Sequence, residues 1–284
     1  MLDSWWFNVI TYLLLFVIFT QAYKIATKSS KSDGALTILL QFIGGVSALF
    51  FIPLFPIQFP SDFKPYLFLG LACIFYAIAD RVNTTARRGL EVSIFSILGQ
   101  LFTVFMIIWG IVFLREPVIL QKILGAALII VGNIVAIYQK GSKFGWNKYI
   151  LFSVLGNLAM SIGGTIDVGI SEQFNLPIYV ATTLFVPSLL LFIIEKGRLK
   201  NVVNEFKNGN KKAILIVGVT WGTLLIAMLR AYQIGDVATT APTFAFSTIL
   251  TIFVSYFLLK EKKSLPRKIL AAAIVIGGII LINV

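Results

Sequence analysis

The sequence predicts an all-α membrane protein with ten transmembrane helices, arranged as two inverted five-helix repeats. Of its 284 residues, 58% are hydrophobic, and the mean hydropathy is +0.92. The chain contains ten apolar runs of about 17–25 residues, the length that crosses the hydrocarbon core of a bilayer. Its second half also repeats motifs of the first half. These three observations together predict the fold class.

The ten apolar runs are predicted to be helices because backbone groups inside a bilayer must find hydrogen-bond partners within their own segment. A membrane β-barrel would instead show short segments of alternating polarity, and the sequence has none. The predicted spans are 5–26, 35–56, 66–87, 92–114, 119–138, 149–168, 177–194, 213–234, 239–259 and 265–282.

The duplication is visible where helices four and nine are expected to end. Glu116 and Glu261, each closing a Leu-basic-Glu motif, lie 145 positions apart. Lys122 and Lys268, which open the similar segments KILGAALIIVG and KILAAAIVIGG, lie 146 positions apart. Upstream, Glu91-Val92 matches Asp236-Val237 at a spacing of 145. The sequence therefore predicts repeats over 1–140 and 141–284, and because five is odd, the second repeat is inverted.

The basic residues predict the orientation of the chain. Of 24 lysines and arginines, 20 lie near or beyond the ends of helices one, three, five, seven and nine, counting Arg81 within helix three; the other four are Lys64, Arg115, Lys122 and Arg230. The positive-inside rule then places both termini outside the cytoplasm. The net charge of +12 is explained by these topology anchors, so no nucleic-acid partner is expected.

Several classes of chemistry are excluded by composition and motifs. The chain has no histidine and one cysteine, Cys73, inside an apolar run, so no disulfide, metal centre or cofactor is expected. No P-loop or known catalytic signature is present, which argues against an ATP-driven pump and against an enzyme. The N-terminus lacks the basic region of a cleavable signal peptide.

The duplicated motifs resemble the drug/metabolite transporter superfamily in its ten-helix EamA-type branch, over nearly the whole chain. The resemblance rests on Leu114–Pro117 and Leu259–Glu261, each followed by a small-residue helix. It also rests on Gly89-Leu90-Glu91-Val92 and Gly235-Asp236-Val237, which look like the family's turns into helices four and nine. It implies alternating-access transport of a small metabolite across the cell membrane, through a cavity lined by helices one, three, four, six, eight and nine. It also implies that both termini lie in the cytoplasm, whereas the charge distribution places them outside. The two would agree if this chain were inserted in the inverted orientation or if it had a different number of helices.

Helix three carries the clearest candidate site. Asp80 lies deep in the run, where a charge is costly and usually faces a cavity or a partner. Tyr76, Asp80, Thr84 and Arg87 share one helical face. Asp80 is predicted to contact substrate or to carry a coupling proton; the alternative is a structural pair with Arg81 or Arg87. For Arg87 the sequence favours an interfacial role, with its side chain snorkelling outward.

Helices four, six, eight and nine supply the other candidates. Stripes of hydroxyl and amide side chains, including Gln100, Ser161 and Thr243, suit either a hydrated cavity or hydrogen bonds between helices. On helix eight, Arg230 is either a substrate anchor or an interfacial anchor. The full predicted substrate site is Tyr76, Asp80, Gln100, Ser161, Trp221, Thr223, Arg230 and Thr243.

Three functions remain open from the sequence. The first is a secondary transporter of an amino acid or similar solute, with the bilayer and the solute as partners and a proton as coupling ion. The alternatives are a membrane-embedded enzyme and a flippase for a lipid-linked substrate. The sequence sets neither the oligomeric state nor the direction of transport.

Overall fold

A computed structural model describes residues 3–113, 118–138, 147–197, 199–235 and 237–282, apart from the side chains of residues 113, 168, 237–239, 241 and 242. Within these ranges the secondary structure consists of α-helices and two short 3-10 turns, and no strand is present. The helices are α1 (Trp5–Ser29), α2 (Asp33–Leu49), α3 (Lys64–Gly89), α4 (Val92–Leu98), α5 (Leu101–Phe113), α6 (Leu120–Ile137), α7 (Lys148–Ile170), α8 (Leu176–Ile194), α9 (Leu199–Asn208), α10 (Lys211–Ile234), α11 (Val237–Leu258) and α12 (Leu265–Ile282).

The predicted all-helical fold is confirmed for this part of the chain. Eight helices are long and apolar enough to cross a membrane, with α4 and α5 together forming one of them, Val92–Val112. Two further apolar helices are shorter: α2 has 17 residues, and α11 contributes Thr243–Leu258. Each of these ten helices overlaps one predicted run, with ends that differ by a few residues. Eight helices are therefore candidate spans by length and composition, and the number ten stays a prediction.

Three details differ from the prediction. Helix two ends at Leu49 instead of residue 56, because a 3-10 turn with Pro53 near its start follows, and proline cannot continue an α-helical hydrogen-bond ladder. Helix four is interrupted at Gly99 and Gln100. The amphipathic helix α9 lies between two spans and was missed, because it is too short and too polar to stand out as an apolar run.

The helix starts follow from local side-chain chemistry. At five helices a serine or asparagine just before the first turn accepts a hydrogen bond from a backbone N–H that has no partner within the helix. These N-caps are Ser4, Ser32, Asn147, Asn175 and Asn210. The caps fix where α1, α2, α7, α8 and α10 begin, and so set the level of their side chains in the bundle.

The closest helix pairs each join one half of the chain to the other. The most extensive packing is between α3 and α7, α6 and α12, α1 and α10, and α2 and α8. In the two repeats, α1 corresponds to α7, α2 to α8, α3 to α10 and α6 to α12. If each helix is replaced by its counterpart, the pair α1–α10 becomes α7–α3, and the pairs α2–α8 and α6–α12 stay the same. Two similar halves related by a pseudo-two-fold axis give this pattern. The residues between the halves therefore come from both repeats.

One end of the bundle, called here the basic end, carries most of the lysines and arginines. It is formed by the C-terminal ends of α1, α3, α6, α8 and α11 and by the N-terminal ends of α2, α4, α7, α10 and α12. The prediction that this end faces the cytoplasm rests on charge alone and stays a prediction.

Helices five and ten of the prediction, α6 and α12, pack through small residues, as expected. A Cβ atom on Gly278 would lie 2.6 Å from the carbonyl oxygen of Gly125, and one on Gly125 would lie 2.5 Å from the carbonyl oxygen of Gly278. Gly132 approaches the carbonyl oxygen of Ala271 in the same way, at 2.8 Å. Glycine therefore permits the two backbones to touch.

Replacing Gly278 with alanine is expected to lower the free energy of unfolding by about 1–3 kcal/mol, because the new methyl group overlaps a backbone atom that cannot move aside. The adjacent Gly277 is the matched control, since a Cβ there meets no atom within 4 Å. Gly277→Ala is expected to be neutral or to stabilise the helix by about 0.5–1 kcal/mol. Thermal unfolding in one detergent compares the two, and equal stability would show that α6 and α12 do not pack as described.

Candidate functional site

The site centres on Asp80, a buried carboxylate in the middle of α3. Asp80 lies nine residues before the end of α3, about 13 Å of helical rise from the basic end. It is only 6% exposed, and its Oδ2 accepts a hydrogen bond of 2.7 Å from Nε2 of Gln41 in α2, which is fully buried. An ionisable group at this depth is costly unless it serves a function or pairs with another group.

A chain of contacts joins Asp80 to aromatic residues of α1 and α10. The hydroxyl of Thr84, one turn after Asp80, lies 2.7 Å from the hydroxyl of Tyr23 and accepts a 2.6 Å hydrogen bond from Thr37. The ring of Tyr23 lies 5.8 Å from that of Trp221 between centroids, and Phe19 lies 5.4 Å from Trp221. Two predicted site residues, Asp80 and Trp221, are thus brought into one region between the halves.

Gln100 lies at the interruption of helix four. The amide N–H of Gln100 donates to the carbonyl of Ile97, so the chain makes a tight turn before α5 begins. Its side-chain Nε2 donates to the hydroxyl of Thr248 in α11 at 3.1 Å. Interrupted helices that meet near the bilayer midplane form the substrate sites of many transporters. Gln100 therefore occupies a contact between the two halves at a suitable depth.

A second buried carboxylate, Asp167 in α7, holds Tyr76. The hydroxyls of Tyr76 and Tyr179 each donate to one oxygen of Asp167, which is 8% exposed. The sequence analysis missed Asp167 because the predicted span ended one residue later, which made it look like a boundary residue. Ser161, one turn and a half earlier in α7, accepts a 2.8 Å hydrogen bond from the indole of Trp109. Tyr76 and Ser161 thus make contacts between helices.

Thr223 and Arg230 are not brought to Asp80. Thr223 lies about 200° around α10 from Trp221, and its hydroxyl donates to the carbonyl of Val219 in its own helix. Arg230 lies about 28 Å of helical rise from the start of α10, where it pairs with Asp3. Thr243 is partly buried near the start of α11. The contacts of Arg230 match the interfacial-anchor alternative.

The alternative that Asp80 pairs with Arg81 is wrong. Arg81 donates instead to Glu195 at the end of α8 and to Thr85, because it lies 100° around α3 from Asp80 and faces another helix. Arg88 pairs with Asp33, with its Nε 2.7 Å from Oδ1. Asp80 therefore has an amide partner and no ion pair within 4 Å among the described residues.

At the basic end, three charged residues from both halves form what we call the basic-end clamp: Glu91, Glu261 and Lys268. Both carboxylate oxygens of Glu261 accept backbone hydrogen bonds at the start of α4, from Val92 at 2.7 Å and from Ser93 at 3.1 Å. Nζ of Lys268, which is 1% exposed, lies 2.5 Å from Glu91 and 3.9 Å from Glu261.

Within the clamp, Glu261 acts on a helix of the other half. The carboxylate of Glu261 lies at a helix N-terminus, where the helix dipole stabilises an anion. The helix is α4 of the other half, however, and not the α12 that follows Glu261 in the chain. Glu116 and Asp236, the counterparts of Glu261 and Glu91, lie outside the described residues.

With this geometry established, comparison with known proteins identifies the family. The model of the EamA-like transporter family matches residues 4–138 and, a second time, residues 147–284. The chain belongs to this family. It is therefore a multi-pass membrane protein built from two EamA repeats, and its family is one of transporters.

The fold also resembles solved structures. One crystal structure, described as "Crystal structure of protein", superposes with a TM-score of 0.60 over 97% of this chain and 94% of that chain. The two sequences are 16% identical, so the likeness concerns the fold alone. No curated protein matches the chain.

Two cavities of this EamA-like chain lie away from the predicted site. An apolar groove of about 640 Å³ lies between α2, α8 and α9, and a polar depression of about 330 Å³ lies at the opposite end, around residues 58–62 and 172–173. No predicted site residue lines either one. Among the described residues, no three acidic or cysteine side chains are grouped so that they could hold a metal ion.

Proposed function

We propose that this EamA-like protein is a secondary transporter that moves a small metabolite across the cell membrane by alternating access. Family membership supports the transporter class, and one structural observation supports the location of the site. A buried carboxylate, Asp80, lies at mid-span and has only the Gln41 amide as its side-chain partner among the described residues, and Thr84, one turn away, contacts Tyr23, whose ring packs near Trp221 of the other half. A solute with a positive or hydrogen-bonding group would complement it.

The mechanism proposed is rocking of ten helices in two inverted halves around this site. The clamp ties the start of α4 in the first half to the loop before α12 and to Lys268 of α12 in the second half. In this mechanism the tie holds the basic end closed. Opening of the clamp would free α4, and the interruption at Gly99 gives helix four a place to bend. Asp80 carries the coupling proton. Of the predicted residues, the proposed substrate site keeps Tyr76, Asp80, Gln100, Ser161, Trp221 and Thr243, and it leaves out Thr223 and Arg230, whose contacts lie away from Asp80.

Flux measurements separate this function from its alternatives. The purified chain, reconstituted into liposomes, is offered a mixture of amino acids and other polar metabolites with and without an imposed pH gradient, and the lumen is analysed by mass spectrometry. A transporter enriches one class of solute in the lumen, and a gradient of the right sign increases this enrichment. Flipping of a labelled lipid without any solute flux would instead favour the flippase. Conversion of a solute to a new product would favour the enzyme.

A further inference from the structure

Arg87, near the end of α3, differs from the other arginines of the chain. Five arginine side chains lie in the described part of the chain, and the other four each donate at least one hydrogen bond to a named partner. Arg87 is only partly exposed and makes no hydrogen bond or ion pair within these residues, and its Nε is buried without a partner. A guanidinium has five N–H donors, and leaving them unmatched away from water is costly.

The side chain of Arg87 points toward the middle of the bundle. Thr84 hydrogen-bonds Tyr23, so these two residues mark one level of the structure. The Cα of Arg87 lies about 4.5 Å from that level toward the basic end, and Phe19 lies about 6 Å from it toward the centre. The guanidinium nevertheless lies 5.2 Å from the centroid of the Phe19 ring. The sequence favoured an interfacial, snorkelling side chain, and the structure places the guanidinium among aromatic rings of α1 and α4.

Aromatic rings from two helices hold the guanidinium in place. Its Cζ lies 4.1 Å from the ring centroid of Phe95 in α4 and 4.6 Å from that of Tyr23 in α1. Cation–π contacts of this kind use the faces of the guanidinium and leave its N–H edge free. That edge is the part that binds a carboxylate through two parallel hydrogen bonds. The rings therefore position Arg87 without satisfying its donors.

We propose that Arg87 anchors the carboxylate of the transported solute, in the region bounded by Phe19, Tyr23 and Trp221. This inference rests on the proposed function and names its substrate class: small monocarboxylates with an apolar body and a positive or neutral polar group. The apolar body would lie against the rings, which already pack on one another. Asp80, two turns before Arg87 on the same face of α3, would repel a second carboxylate and would attract an ammonium group.

Binding measurements on the intact chain in nanodiscs of neutral lipid test the assignment. The probes are the twenty L-amino acids, screened by thermal stabilisation, followed by the carboxamide of the strongest binder and by inorganic phosphate. Wild-type protein is expected to prefer the acid over its amide by about tenfold or more, the usual size of a lost charged hydrogen bond. Arg87→Gln should weaken binding of the acid to the level of the amide and leave amide binding unchanged.

Two further variants keep the test decisive. Arg87→Lys keeps the positive charge but loses the planar guanidinium that binds a carboxylate through two hydrogen bonds, so it is expected to weaken acid binding less than Arg87→Gln does. If Arg87→Gln does not fold, Arg87→Lys replaces it in the binding measurement. Arg88→Gln is the matched control, because Arg88 is the neighbouring arginine and is already paired with Asp33. It should leave the preference for acid over amide unchanged, whatever it does to stability.

Several results would overturn the assignment. They are equal binding of acid and amide by wild type, unchanged acid binding by Arg87→Gln, no stabilisation by any amino acid, and stronger stabilisation by phosphate than by any carboxylate. A loss of thermal stability in Arg87→Gln with unchanged affinity would make the residue a structural cation–π contact. Flux of a solute without a carboxylate would contradict this inference and leave the transport function intact. Absence of any flux by wild type would instead contradict the transport function.

Discussion

Replacing Asp80 with asparagine is expected to reduce accumulation driven by a pH gradient to the level of protein-free liposomes, while exchange of solute at equal pH continues. Asparagine has nearly the same size and can still bond Gln41, so the packing around α3 should survive. It cannot bind and release a proton, however, and the chain has no histidine to take over this task. Uptake of a radiolabelled substrate into proteoliposomes, with and without the gradient, measures both activities.

Two carboxylates provide controls for Asp80. Asp33→Asn removes an acid that pairs with Arg88 at the basic end, and it should leave gradient-driven accumulation unchanged. Asp167→Asn removes the other buried acid of the described spans, whose oxygens are both occupied by tyrosine hydroxyls. If Asp80→Asn still concentrates substrate down a proton gradient, Asp80 is structural. If Asp167→Asn abolishes accumulation in its place, the coupling proton belongs on α7.

The helices could be predicted because their causes are local. A run of about twenty apolar residues must be helical in a bilayer, and the caps that start the helices are single residues in the sequence. The interruption at Gly99 and the helix α9 were missed because their causes are not visible as an apolar run. Glycine within an apolar run gives no periodic signal, and the ten-residue amphipathic helix α9 depends on its packing against α2.

The site was predicted less completely, because it depends on which way side chains point. Asp80 could be found from its depth alone, and the same rule would have found Gln41 and Gln21, polar residues deep in apolar runs that are now seen bonded between helices. The sequence gives the position of Arg87 near a helix end but not the direction of its side chain, which depends on rings from two other helices. Thr223 and Trp221 lie two residues apart, and so could not share one cavity-facing side of α10.

The duplicated motifs were used to recognise the repeats, and three of their residues meet in space. Glu91 belongs to the first half, and Glu261 and Lys268 belong to the second half. Together they join the start of α4 to the start of α12. Sequence similarity showed that these positions were repeated, and the structure shows that they contact one another. A charge that is fully buried in such a cluster should matter far more to stability than one at the surface.

Lys268→Met is accordingly expected to lower the free energy of unfolding by about 3 kcal/mol or more, the usual cost of removing one partner from a buried ion pair. Methionine fills a similar volume, so the loss is electrostatic. It leaves Glu261, 8% exposed, without an ion pair among the described residues, so that the N–H groups and the Ser93 hydroxyl at the start of α4 and the more distant charge of Lys24 remain to stabilise it. Glu91 is 38% exposed and can turn to solvent, so most of the cost falls on Glu261.

Two comparisons separate this cost from a general loss of charge. The double variant Glu261→Gln/Lys268→Met should recover part of the stability, because it removes the uncompensated carboxylate and keeps an acceptor for the N–H groups of α4. Glu195→Gln breaks the Arg81–Glu195 pair, whose side chains are 33% and 27% exposed, and should cost no more than about 1 kcal/mol. Unfolding is followed in one detergent for all variants. If Lys268→Met costs as little as Glu195→Gln, water reaches the clamp, and the basic end is not closed by it.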